Sequence, residues 1–327
     1  FGQQRLWFLH QLEPASAAYN MPSAVRLTGA LAVSALAWSL GEVVRRHETL
    51  RTTFEEISGR PVQRIAPALA DAMPLPVVDL ARLPAFVQEA ERRRLRAAEA
   101  ALPFDLARGP LLRAALLRLA AEESVLLVTL HHIAADGWSA GVLVREVGAL
   151  YTAFSSGLPS PLPELPIQYA DFAVWQRGWL SGEVLACEIA HWRERLAGAP
   201  TGLDLPADRP RQAVRTARGG SLDFALLADL VTGLQTLSRR QGTTLFMTLF
   251  AGFAALLGRL TGEENLLVGS PVANRTQRET DGLIGLFVNT LVLRGDLTGD
   301  PPFGELLARI RAMALDAYAH QDLPFET

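Results

Sequence analysis

Apolar positions recur along the chain with two periods, and the alternation between them sets out the elements. Met21 to Leu27 alternates as a half-buried strand does, and Val33, Leu36, Ala37, Leu40, Val43 and Val44 then return at helical spacing. Strand-like runs follow at Thr52-Thr53-Phe54 and Val62-Gln63-Arg64-Ile65, then a turn-rich passage with Pro67, Pro74 and Pro76, and a helix over Ala85 to Ala100. Leu111 to Leu119 and Val125 to Leu130 flank the short polar link Ala120 to Ser124, which predicts an antiparallel hairpin. Its second strand delivers two adjacent histidines, His131 and His132, into a short loop. Asp136 and Gly137 follow, and Trp138 to Leu150 continues as a helix, with Val142, Leu143, Val147 and Leu150 available to pack. Phe1 to Leu12 is a short mixed aromatic and cationic helix.

The proline-rich stretch Ser155 to Pro166 cannot be regular structure and marks a boundary. Beyond it, Tyr169 to Trp175 opens a helical arm, Leu185 to Leu196 forms a second helix, and Pro200 to Arg218 reads as a crossing loop. The pattern resumes with a strand near Ser221 to Phe224, helices near Ala228 to Arg239 and Leu245 to Leu260, strands at Leu266 to Gly269 and Phe287 to Leu293, and a closing helix over Phe303 to Ala319. Gly252 and Gly258 are expected to permit close helix approach. The whole reads as α/β: a first lobe over 1–165, an arm and linker over 166–218, and a second lobe over 219–327. The abrupt start at Phe1 and stop at Thr327 predict a piece of a longer polypeptide.

Composition narrows the function classes. The chain is 49% hydrophobic and 20% charged, as a folded globular protein is. A formal charge of -3 against 31 basic residues gives no electrostatic case for a nucleic-acid partner. Arg92-Arg93-Arg94 lies among Glu89, Glu91 and Glu99 and reads as a solvated helix face. Cys187 is the only cysteine, which excludes an internal disulfide framework or a cysteine-rich metal site, and it reads as a bystander. No apolar run reaches the roughly 20 residues that span a bilayer, and the start lacks a signal-peptide pattern, so a cytoplasmic setting without a membrane partner is expected.

The histidine loop carries the candidate chemistry. Successive strand residues point to opposite faces, so His131 and His132 diverge: one packs while its neighbour faces a reaction space. His132 is the candidate for proton exchange near neutrality, and His131 the packed or orienting imidazole. Asp136 could orient an imidazole, cap the following helix, or pair with a remote arginine. Gly137 is expected to supply a backbone angle or a close approach that larger residues cannot. No metal centre is expected, because cysteine and a further converging histidine set are missing around the loop. A Gly-x-Ser-x-Gly elbow, a Walker loop and a dinucleotide fingerprint are all absent from the sequence. What remains is direct transfer between two bound substrates, with the protein orienting them and managing one proton.

His131-His132-Ile133-Ala134-Ala135-Asp136-Gly137 resembles the His-His-x-x-x-Asp-Gly signature of condensation domains in nonribosomal peptide synthetases. The opening Phe1 to Leu9, Arg46 to Phe54, Tyr169 to Trp175, Ile284 to Thr290 and His320 to Glu326 resemble further motifs of that family, in order along nearly the whole chain. The resemblance implies two chloramphenicol-acetyltransferase-like lobes in a V, the second apparently truncated, with a tunnel that places His131, His132 and Asp136 at its middle. The implied reaction joins an upstream aminoacyl or peptidyl thioester to the amine of a downstream aminoacyl thioester. Both are carried on phosphopantetheine arms of carrier domains, with a neighbouring adenylation domain as a further partner and no directly bound cofactor. Arg275 is implied as a cross-lobe partner for Asp136, with Arg51 as the competitor within the first lobe. Gly137 would leave room for the pantetheine arm or the amine, Trp138 would wall the passage or pack, and Asn289 would face the cleft. An ordinary elongation domain accepting an L-configured donor is the expected subtype. A coenzyme A-dependent acyltransferase, a non-catalytic carrier-docking domain and an epimerising relative are the rivals. Intact His131 and His132 argue against relatives that have lost condensation and recruit oxygenases.

Overall fold

A computed structural model describes residues 1–68, 70–200, 202–209, 219–220 and 222–327. The chain is an α/β protein whose elements group into two compact units. One comprises Phe1–Trp179 with Ala273–Val288 and Glu326, the other Leu180–Val272 with Asn289–Phe325 and Thr327.

In the first unit the order is α1 (Gly2–Leu12), β1 (Asn20–Thr28), α2 (Val33–Arg46), β2 (Thr52–Ile57), β3 (Arg60–Ile65), β4 (Val77–Asp79), α3 (Ala85–Ala101), β5 (Leu112–Ala120), β6 (Glu123–His131), α4 (Gly137–Ser155) and α5 (Tyr169–Trp179). Four strands form a sheet in the order β1-β6-β5-β4, while β2 and β3 pair separately. Strand β6 is central and antiparallel to both neighbours, with Asn20 opposite His131 on one side and Leu112 opposite Leu130 on the other. The short β4 runs parallel to β5 at the edge.

The pleat decides what each face of β6 touches. Leu126, Val128 and Leu130 enter the main core with Leu36 and Leu40 of α2 and Leu143 and Leu150 of α4. Val125 and Leu127 pack on the opposite face with Leu80 and Leu117, against which Leu95 of α3 rests. Burying such a side chain contributes about 1.5–3 kcal/mol. Both faces are therefore anchored, and the end of β6 is a fixed launching point for the loop that follows.

The second unit contains α6 (Gly182–Arg195), α7 (Ala228–Gln241), α8 (Leu245–Thr261), β7 (Asn265–Val272), β8 (Asn289–Asp296) and α9 (Phe303–Ala319). Strands β7 and β8 pair antiparallel, Val272 opposite Asn289. The connection between them is the segment Ala273–Val288, which packs in the first unit. Thr244 caps α8 by accepting the Met247 N–H, and Gly262 ends it in the left-handed conformation. Ala251, Ala254, Leu266, Leu293, Ile310 and Ala314 form the core between α8, α9 and the strand pair. The crossing loop expected over 200–218 lies in part outside the described residues.

Three details depart from the sequence reading. The expected strand at Ser221 to Phe224 begins outside the described residues, and 222–224 pairs with no strand among the described residues, with Leu222 and Phe224 exposed to solvent. Phe287 and Val288 precede β8 and stay out of the ladder. Gly258 does make a close approach, since a Cβ there would lie 2.3 Å from a Leu297 methyl, but the neighbour is loop rather than helix. Gly252 faces open space.

Candidate active site

The loop from His131 to Asp136 is pinned from several directions. Its backbone turns at once, with the Ala134 N–H donating to the His131 carbonyl at 2.9 Å. The His132 N–H donates to the Tyr19 carbonyl at 2.9 Å, which ties the loop to the start of β1. Two side chains from elsewhere hold its carbonyls. Gln3 Nε2 donates to Ile133 O at 2.8 Å, and Thr49 Oγ1 to Ala134 O at 3.3 Å. Gln3 is oriented in turn by Gln63, whose Nε2 donates to Gln3 Oε1 at 2.6 Å. The opening and second sequence motifs thus serve as supports of the histidine loop.

The two histidines occupy different environments. His131 is buried, and its Nδ1 accepts the Ile133 N–H at 3.1 Å. Phe104 stands edge-on to its ring at 5.7 Å, with Tyr19 and His10 at 6.4 Å. Burial, then the proximity of His10, His132 and Arg113, pushes its pKa down to about 4, so it is neutral near pH 7. His132 is half-buried. Its Nδ1 lies 2.8 Å from the Ala135 carbonyl, which only accepts, so the proton sits on Nδ1. Nε2 therefore carries the free lone pair, and no hydrogen bond within the protein occupies it among the described residues. The ring is held in one tautomer with its basic atom available.

Asp136 is buried and closed off by hydrogen bonds. Its Oδ1 accepts the Ser139 N–H at 2.9 Å, capping α4, and the Ser139 hydroxyl at 2.7 Å. Its Oδ2 accepts the N–H groups of Phe287 and Val288 at 3.0 and 3.3 Å. Arg275 Nη2 completes the set, 3.3 Å from Oδ1. Of the three roles left open for the carboxylate, helix cap and arginine partner are filled together, and no hydrogen bond to an imidazole is among its contacts within the described residues. Arg51 is not the partner: it pairs with Glu48 at 3.3 Å and donates to the Ala66 carbonyl, anchored on its own side of β2.

Arg275 also donates to the carbonyls of Thr280 and Leu283 and lies 4.0 Å over the Phe287 ring. Burial lowers its pKa and the Asp136 charge opposes that shift. A second buried group fastens the same segment. His47 Nδ1 accepts the Ile284 N–H at 3.2 Å, which leaves Nε2–H to donate to Glu146 at 2.9 Å. Arg46 forks onto Glu146 through Nε and Nη2, both at 3.2 Å. Burial disfavours the Glu146 carboxylate, yet the bonds from His47 and Arg46 prevail and hold its pKa below the ordinary value.

Gly137 opens α4 in solvent with an ordinary negative φ, and a Cβ placed on it meets nothing within 4 Å. The expectation of a special backbone angle is therefore corrected; what the glycine leaves is open space. Trp138 is half-exposed, and its indole N–H donates to the Asp281 carbonyl at 3.0 Å, so it is not a core aromatic. Asn289 does not face a cleft. It is buried, its amide donates to the carbonyls of Gln321 and Leu323, both at 2.7 Å, and its Oδ1 accepts the N–H groups of Thr290 and Phe325. Gln3, Ser139, His47 and Glu146 do not stand out in the sequence. Gln3 and His47 lie inside family motifs, but only the fold reveals what they hold. Among the described residues, no single helix is long and apolar enough to cross a membrane.

A family model described as "Condensation domain" matches residues 1–327. One of the linear gramicidin synthase proteins of Brevibacillus parabrevis is 54% identical over 326 residues, covering all of this chain, which spans 6% of that protein. The phosphinothricin tripeptide synthetase PhsC of Streptomyces viridochromogenes is 48% identical over the same length, and this chain spans 30% of it. Among solved structures, the X-domain from teicoplanin biosynthesis is 31% identical with a TM-score of 0.88, covering 99% of this chain and 71% of that one. The first condensation domain of the CDA synthetase shares the fold at 23% identity and a TM-score of 0.81, covering 99% of this chain and 75% of that one. With its full length matched to the family model, the chain belongs to the condensation-domain family.

Proposed function

We propose that this chain forms peptide bonds in nonribosomal peptide biosynthesis. The donor is an aminoacyl or peptidyl thioester on an upstream carrier domain, and the acceptor is the amine of an aminoacyl thioester on a downstream carrier. The amine nitrogen attacks the thioester carbonyl, the C–S bond breaks, and the thiol leaves with a proton while the elongated chain remains on the downstream carrier. Phosphopantetheine arms carry both substrates. Activation by an adenylation domain precedes this step in the same polypeptide, and the protein works in the cytoplasm.

The single observation that carries the reading is the free Nε2 of His132, in a half-buried ring whose Nδ1–H is committed to Ala135 O. A free α-amine has a pKa of about 8 and is largely protonated at pH 7. Nε2 holds the neutral amine in place, takes its proton as the bond forms, and returns it to the departing sulfur. His131 and Asp136 are positioning residues: both are buried and engaged with backbone N–H groups. Gly137 leaves the mouth of α4 bare for a pantetheine arm, and Trp138 borders it.

The likeness to an X-domain, which has also been solved as a complex with OxyB, favours a second reading, a docking domain without chemistry. The intact histidine pair weighs against it. A single-turnover reaction with loaded donor and acceptor carriers on the full synthetase separates the readings. His132→Ala is expected to lower the rate by about 10²–10⁴-fold with folding preserved. Unchanged product formation would overturn the role of His132, and equal transfer from free coenzyme A thioesters without carriers would overturn the reaction. Product analysis with D- and L-donors tests the elongation subtype against the epimerising one.

A further inference from the structure

The second unit brings four ligand-type side chains together away from the histidine loop. Helix α6 carries Glu188 and His191, three residues apart, and α9 carries Asp316 with His320 four residues on at its C-cap. At these spacings each pair shares one helix face. His191, Asp316 and His320 present ligand atoms that all lie within 4.8 Å of one another.

Three features of the cluster are those of a cation site. His191 Nε2 is buried without a hydrogen-bond partner, yet an Asp316 carboxylate oxygen lies 3.4 Å from it. That is too poor for a hydrogen bond, but two ligands of a tetrahedral ion with bonds of about 2.1 Å stand ~3.4 Å apart. His320 turns Nδ1 to Glu188, 3.1 Å away, so Nδ1–H donates to the carboxylate and Nε2 keeps its lone pair. A carboxylate behind an imidazole is the arrangement that orients metal-binding histidines. The local charge also favours a cation. Arg195 forks onto Asp316 at 2.9 and 3.0 Å, but Glu188 adds a second carboxylate, 3.1 Å from His320 Nδ1. The His191 and His320 rings stack with centroids 3.5 Å apart.

We propose that His191, Asp316 and His320 bind a divalent cation of the zinc class, with Glu188 orienting His320 and water in the fourth position. The cation clamps α6 to the end of α9, where Trp192 Nε1 already donates to the His320 carbonyl at 3.0 Å. The ligands come from helices far apart in the chain, which is why sequence spacing predicts no metal.

The test is a titration of Co²⁺ into the chelator-treated full polypeptide, read by visible absorption as a difference against His191→Ala, with circular dichroism to confirm folding. One equivalent of strongly absorbing, tetrahedral Co²⁺ is expected in the wild type. It is expected to be lost in His191→Ala and in the conservative His191→Gln, and weakened about 10–100-fold in Glu188→Gln. No difference between wild type and the His191 variants, or only the weak bands of an octahedral ion, would overturn the site.

Discussion

Arg275 Nη2 lies 3.3 Å from Asp136 Oδ1, and each side chain is only 2% exposed. The ion pair is buried, but it is one of five hydrogen-bonding contacts to the carboxylate, and both ends also grip backbone of the segment 280–288. Removing either partner leaves the other charge buried and unpaired. Asp136→Ala and Arg275→Ala are each expected to cost about 3–5 kcal/mol in urea unfolding. The double variant is expected to lose less than the sum, because the second substitution removes an already orphaned charge. Inactivity of Asp136→Ala thus reports a collapsed loop before it reports chemistry.

His131 sets a pH dependence on stability. Its folded-state pKa, about 4, is depressed from 6.5, chiefly by burial. Between those values the unfolded chain binds a proton that the native state refuses, so the stabilising contribution is full above pH 6.5 and is lost as pH falls towards 4. Protonating Nδ1 would also break the bond from the Ile133 N–H. The shift corresponds to about 3 kcal/mol. Urea unfolding from about pH 7 to about pH 4 is expected to show that loss in the wild type and a flatter profile in His131→Asn, whose side-chain oxygen still accepts from Ile133.

Much of this is legible in the sequence because each signal is local. The hairpin of β5 and β6 shows as two apolar runs around a polar link, and the two histidines at its end differ as the pattern predicts, one buried and the other half-buried. Strand β4 is hidden: its three residues lie in a turn-rich, proline-bearing passage and gain strand geometry only by pairing with β5. Conversely, Leu222 and Phe224 alternate as a strand should, yet find no partner edge among the described residues. Asn289 misleads for the same reason. Its position in a motif is a sequence fact, but its partners Gln321, Leu323 and Phe325 come from a segment more than thirty residues on, which no local pattern encodes.

Asn289 accordingly serves as a clamp. Asn289→Ala is expected to cost about 1–3 kcal/mol, since the half-buried carbonyls of Gln321 and Leu323 lose their donors. Asn289→Asp is expected to be at least as damaging, because a carboxylate oxygen would replace the donating amide opposite those carbonyls. Urea unfolding gives the energy. Faster hydrogen exchange at the Phe325 amide, which donates to Asn289 Oδ1 at 3.0 Å, would locate it.

Two glycines separate structural from substrate demands. At Gly285 a Cβ would lie 2.2 Å from Tyr169 Cδ2 and 2.7 Å from Phe287 Cε2, both in a packed aromatic cluster, so Gly285→Ala is expected to cost about 1–3 kcal/mol through overpacking. At Gly137 a Cβ meets no protein atom within 4 Å, and the position begins a helix, so Gly137→Ala is expected to change stability by less than about 1 kcal/mol. If the bare surface there accommodates a tethered substrate, the same substitution is expected to slow amide formation roughly tenfold or more by displacing the reactant. Thermal unfolding and single-turnover rates measured side by side give the answer. A Gly137→Ala protein as stable and as fast as the wild type would remove Gly137 from the site, whereas a stable but slow one places the reacting arm against the first turn of α4.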